Sequence, residues 1–178
     1  MTSLILLLSA ASALAAPPAP APGPAAAASP GLTPASTPAP LVVSLVAGAH
    51  SLDPRSSAAQ GLVVAKAPRI DQTFGWAPPQ GTGEGVAHHE RGLVYAALKV
   101  TPPDPAASLT RSEVAGGQGW SWTVDGGKTV FYGTIFDCPA HRVTLVTYGT
   151  QVSDNPVEAI HQQALAAARC GGPSAAPQ

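Results

Sequence analysis

The sequence predicts an α+β domain in which an antiparallel β-meander sheet is followed by a C-terminal helix pinned by one disulfide. Three observations carry this expectation. Residues 119–150 alternate β-forming runs with tight-turn residues, residues 157–167 repeat apolar side chains at helical spacing, and the two cysteines fall at a strand end and at the helix end.

The meander is the plainest part. Trp120-Ser121-Trp122-Thr123-Val124 runs into Asp125-Gly126-Gly127, a turn whose glycines tolerate positive φ, and residues 128–136 leave it as a second strand. In that strand Val130, Tyr132, Thr134 and Phe136 share one face, while Thr129, Phe131, Gly133 and Ile135 share the other. Bulk on both faces places it inside the sheet. After Asp137-Cys138-Pro139-Ala140, residues 141–150 alternate Val143 and Leu145 against Thr144, Val146 and Tyr148 and return antiparallel.

Asp154 or Asn155 then caps a helix, with Pro156 near its first position and Glu158 in its first turn. Val157, Ile160, Ala164 and Ala167 form its apolar stripe, with Leu165 at the edge, and Arg169 and Gly171 suit its end. Upstream, residues 41–46 and 62–65 are short β-branched runs bounded by Gly, Pro and Asp, which read as strands. Residues 93–100 read as another strand, because Val94, Ala96, Leu98 and Val100 alternate between Gly92 and the proline cluster at 102–105.

A chain of 178 residues has room for one such domain. Its composition divides sharply: every charged side chain lies at or after Asp53 and every aromatic at or after Phe74. The apolar run from Leu4, ending in Ala13-Leu14-Ala15, reads as a signal peptide over residues 1–15, cleaved after Ala15 or Ala16. The prolines from Pro17 onward stop it well short of the ~20 apolar residues a membrane span needs. No transmembrane segment is expected after cleavage. Residues 16–40 hold nine Ala and nine Pro and read as a disordered, semi-flexible spacer. The single domain is expected over residues 41–172, with a flexible tail over 173–178.

Export places Cys138 and Cys170 in an oxidising compartment, where an even count implies a disulfide. A net charge of −1 with mixed signs provides no field to gather nucleic acid. His88-His89-Glu90 is the one tempting metal group, since His88 and Glu90 share one side of a strand and could be joined by His141. An exposed polar turn competes with that reading. Gln80-Gly81-Thr82-Gly83-Glu84-Gly85 looks superficially like a phosphate loop, but it lacks the lysine and the helix opening and reads as a flexible loop. No nucleophile motif is present, and no cofactor is implied. Trp120 and Trp122 share a strand face and Trp76 stands beside Pro78-Pro79, so these rings either fill the core or form a binding patch for a polymer or protein.

Phe136-Asp137-Cys138, His141-Arg142-Val143 and a terminal Cys170 closing a helix opened by Asn155-Pro156-Val157 resemble the surface-adhesin protein E family of exported bacterial domains, over residues 91–170. That resemblance implies an antiparallel sheet with a disulfide-linked helix through Cys138 and Cys170, and surface binding of host or envelope macromolecules. The expected function is therefore non-enzymatic binding of an envelope or extracellular protein or polymer, in the bacterial periplasm, at the cell surface or outside the cell. A small periplasmic metal-binding protein or hydrolase using His88, Glu90 and His141 is the alternative.

Overall fold

The computed structural model describes residues 31–102, 109–151 and 156–171. The expected signal peptide, the first part of the spacer, the Asp154 or Asn155 cap and the tail lie outside these residues. Ten strands and two helices are described: β1 (Leu32–Ala35), β2 (Leu41–Val46), β3 (Ala49–Leu52), β4 (Gly61–Ala67), β5 (Ile70–Ala77), α1 (Gly83–Leu98), β6 (Thr110–Val114), β7 (Gly117–Asp125), β8 (Thr129–Asp137), β9 (Arg142–Thr150), α2 (Val157–Ala167) and β10 (Arg169–Cys170). Seven strands form one antiparallel sheet in the order β3-β4-β5-β9-β8-β7-β6, and β1-β2-β10 form a small second sheet. The fold is α+β.

The meander β7-β8-β9 sits as expected, with Trp122 opposite Gly133 and Gly133 opposite Val146. Its central strand β8 is covered on both sides. On one face α1 packs across β7 and β8, over Trp120, Trp122, Val124 and Ile135. On the opposite face α2 packs on β8 and β9 while β2 lies over β4 and β5. There Phe74, Phe136, Leu145 and Ile160 make up the main core with Leu45 and Val63.

Two expectations are corrected here. Residues 93–98 belong to α1 rather than to a strand, with Lys99 closing the helix and Val100 beyond it; Gly83, Ala87 and Arg91 are the buried positions and Val94, Tyr95 and Leu98 continue their stripe. The period-two reading of Val94, Ala96, Leu98 and Val100 overlaps that helical stripe only at Val94 and Leu98. Gly92, read as the strand's start, is an exposed residue within the helix. The loop at residues 80–85 is also shorter than expected: Thr82 caps α1, its hydroxyl accepting from the Gly85 N–H at 3.1 Å. Gly83 is needed there, since a Cβ at that position would strike the Trp120 ring.

The spacer also ends sooner than its composition suggests. Leu32–Ala35 pairs with β2, from Leu32 opposite Val46 to Ala35 opposite Val43, and Ala39 is buried in the core. Pro34 is accommodated because β1 is an edge strand and lacks a neighbour on its outer side among the described residues.

Cys138 and Cys170 form a disulfide across a sequence separation of 32, as in proteins that mature outside the reducing cytosol. It ties the β8–β9 turn to β10, which otherwise holds β2 through only two residue pairs. No helix among the described residues is long and apolar enough to cross a membrane. Closing a loop of that length stabilises the fold by about 3–4 kcal/mol in the chain-entropy picture, so a Cys138→Ser, Cys170→Ser double variant should lose about that much in urea unfolding. A loss under ~1 kcal/mol would show that β10 and α2 are held without the bond.

Candidate functional site

The residues singled out for metal binding do not come together. His88 and Glu90 lie on α1, two positions apart, which on a helix sends them to different sides. His88 Nδ1 faces the Arg91 guanidinium at 3.3 Å. His141 is buried in the β8–β9 turn, where its Nε2–H donates to the Ala58 carbonyl at 2.8 Å. Among the described residues no group of three His, Cys, Asp or Glu side chains is placed to hold a metal ion. The strand geometry that united His88 with Glu90 disappears with the helix.

The tryptophan patch is corrected too. Trp76, Trp120 and Trp122 are 2%, 7% and 5% exposed, so all three are core residues. Trp76 donates its indole N–H to the Ser57 carbonyl at 3.0 Å. The Trp122 ring lies over Gly133, in the space a Cβ would take. Tryptophan emission should therefore be blue-shifted and nearly insensitive to iodide; strong quenching in the native protein would return at least one ring to the surface.

Asp137 and Arg142 also have a structural use. They face each other across β8 and β9, and the guanidinium grips the carboxylate from Nε at 2.7 Å and from its terminal nitrogen at 3.1 Å. The same guanidinium donates to the Gln80 and Gly81 carbonyls, which fastens the approach to α1 onto the turn.

A cavity of about 870 Å³ lies beside α2, at the β6–β7 end of the main sheet. It exists because α2 covers β8 and β9 and packs less closely over β7 and β6. Ser121 and Thr123 of β7, Thr110 and Ser112 of β6 and Tyr132 of β8 line it from the sheet. Glu158, His161, Gln162 and Leu165 line it from α2, with Arg169 just beyond the helix. Arg91 and Tyr95 of α1 complete the lining, near where β6 begins its pairing at Thr110 opposite Ser121. Hydroxyls and both charge signs are present on this surface, interleaved with apolar side chains such as Val114 and Leu165.

One lining residue is unusual. His161 is 1% exposed and, among the described residues, bonded to two hydroxyls, with Nε2 2.9 Å from Thr134 Oγ1 and Nδ1 2.9 Å from Thr147 Oγ1. Burial lowers its pKa from 6.5 to about 4, so the ring is neutral at physiological pH. Thr134 reaches Ser121 Oγ at 2.8 Å, and Thr147 reaches Gln72 Nε2 at 2.9 Å. Beside this line the Tyr132 hydroxyl donates to Glu158 at 3.4 Å, and burial followed by that carboxylate holds the phenol above its usual range.

Nothing in the sequence around His161 marks it as a site residue. It sits beside Ile160 and one turn after Val157 on the buried stripe, so its position at helical spacing signals burial alone. A histidine that titrates near 4 with no carboxylate to orient it is a poor general base at neutral pH. Comparison with known protein families and with curated proteins finds no match to this chain.

The shift has a sign in solution. Between pH 6.5 and about 4 the unfolded histidine takes up a proton that the folded one refuses. Stability from this group is therefore full above pH 6.5 and falls by about 3 kcal/mol as the pH drops to 4. Urea unfolding across that window should show the decline, and His161→Gln should flatten it; an unchanged slope in the variant would assign the decline to other groups.

Proposed function

We propose that this is an exported, non-enzymatic binding domain that takes a polar ligand of the cell envelope or its surroundings in the cavity between α2 and strands β6 and β7. The observation that carries the reading is the cavity's lining: about 870 Å³ bounded by hydroxyls, Arg91, Arg169, Glu113 and Glu158. That lining offers many donors and acceptors around a volume suited to a small molecule or part of a larger one. The histidine in its wall is committed to buried hydroxyls on both nitrogens, which favours recognition over proton transfer.

Residues 16–30 continue the Ala and Pro enrichment up to the first strand, which supports a domain presented at the end of a spacer. The disulfide supports maturation in the periplasm or at the bacterial surface. The resemblance to surface-adhesin protein E domains points the same way, toward an adhesin-like role at the envelope.

A photocrosslinking residue placed at Thr123, on the cavity wall, should capture a defined envelope or extracellular partner in intact cells. The same residue at Val42, which is exposed on β2, should capture none. Equal adducts from both positions, or none from Thr123, would remove the cavity from the interaction.

A further inference from the structure

The buried hydrogen bonds around His161 form a line whose direction can be worked out from one end. The Val46 backbone N–H can only donate, and it donates to Gln72 Oε1. That fixes the amide, so Gln72 Nε2 donates to Thr147 Oγ1 at 2.9 Å. Thr147 is fully buried, and among the described residues its own proton has one acceptor left, His161 Nδ1 at 2.9 Å. A neutral imidazole that accepts at Nδ1 carries its proton at Nε2. Nε2–H then donates to Thr134 Oγ1 at 2.9 Å, and the Thr134 proton passes to Ser121 Oγ at 2.8 Å.

Run the other way, with Nδ1–H donating to Thr147, the Thr147 hydroxyl would receive two bonds and leave its own proton without an acceptor in the interior. Buried donors are seldom left that way. An imidazolium would satisfy both neighbours but would bury a charge with no anion bonded to it. The forward direction leaves no donor stranded until the line reaches the cavity. There Ser121, half-buried on the wall, has a proton with no acceptor among the described residues.

We infer that the line from Val46 to Ser121 holds His161 as the Nε2–H tautomer and leaves Ser121 as a hydrogen-bond donor to a ligand that presents an acceptor oxygen to this wall. The inference rests on the cavity being the binding site, and it adds the chemistry that the ligand must present at one wall. Ser121 is the recognising group; Gln72, Thr147, His161 and Thr134 are positioning residues that act through it. With Thr134 donating to its oxygen, Ser121 keeps its own proton for the cavity, whereas a hydroxyl without that bond could spend its proton on Thr134.

Two measurements on the folded, disulfide-bonded protein test this. Long-range ¹H–¹⁵N correlation spectra at neutral pH should show His161 protonated at Nε2 and bare at Nδ1. Protonation at Nδ1, or at both nitrogens, reverses or breaks the line and overturns the inference, while leaving the cavity untouched as a binding site. The second is a titration with N,N-dimethylacetamide, which accepts hydrogen bonds and cannot donate them. Amide shifts should move at Ser121, Thr123 and Gln162, and Ser121→Ala should weaken that response about fivefold, the loss of one hydrogen bond. No response in the native protein, or an equal response in Ser121→Ala, would overturn the recognition role even if the tautomer is as inferred.

Discussion

The Cys138–Cys170 bond is the constraint on which the arrangement of the second layer depends. β2 is not part of the seven-stranded sheet, and among the described strands it pairs with β1 and the two-residue β10. Its apolar side chains Val43, Leu45 and Val46 nevertheless fill the core above β4 and β5. The disulfide anchors β10 to the β8–β9 turn, so the end of α2, the short strand and β2 are all referred to the most deeply paired part of the sheet. The Val46 N–H to Gln72 bond makes a second attachment, this time from the floor of the core. Together they place α2 over β8 and β9, and the uncovered strands beside it become the cavity.

The two faces of the main sheet are covered in a staggered way. α1 shields β7 and β8 on one side, while on the other α2 and β2 shield β9, β8, β5 and β4. Only the middle of the sheet is closed on both sides, which matches the double-sided bulk of β8. A polar line through such a core is expensive unless every member is bonded, and here the hydroxyls of Thr134 and Thr147, the imidazole of His161 and the amide of Gln72 satisfy one another. Its outer end lies at the cavity, so the core and the candidate site share one set of hydrogen bonds.

The parts of the fold legible from the amino-acid order were those in which one local signal dominated. The Asp125-Gly126-Gly127 turn, the alternation in β8 and β9 and the stripe of α2 are such parts, and the two cysteines lack the Cys-x-x-Cys spacing that would favour a redox or metal pair over a disulfide. The start of α1 is not legible because its buried residues Gly83 and Ala87 are too small to register as an apolar stripe, while Val94, Ala96, Leu98 and Val100 alternate as in a strand although only Val94 and Leu98 lie on the helical stripe. β5 alternates Ile70, Gln72, Phe74 and Trp76 toward the core, but a glutamine in that series hides a strand whose amide is used inside. β1 was hidden by Pro34 and its neighbours, whose composition is that of a spacer and whose pairing is decided by β2. The cavity was not legible at all. It is assembled from β6, β7, α2 and α1, and His161 acquires its character only from threonines 27 and 14 residues away.

The close approaches of Trp120 to Gly83 and of Trp122 to Gly133 have a consequence for how this sequence can drift. Each indole occupies the volume that a side chain on its partner would need, so neither member of a pair can change freely while the other stays. Replacement of Gly133 by any larger residue demands a smaller one at position 122 in the same lineage, and the same bargain joins positions 83 and 120. Descendants of this chain are thus expected to keep both pairs or to lose a pair together, which makes these four positions a hereditary signature of the fold that ignores the ligand altogether.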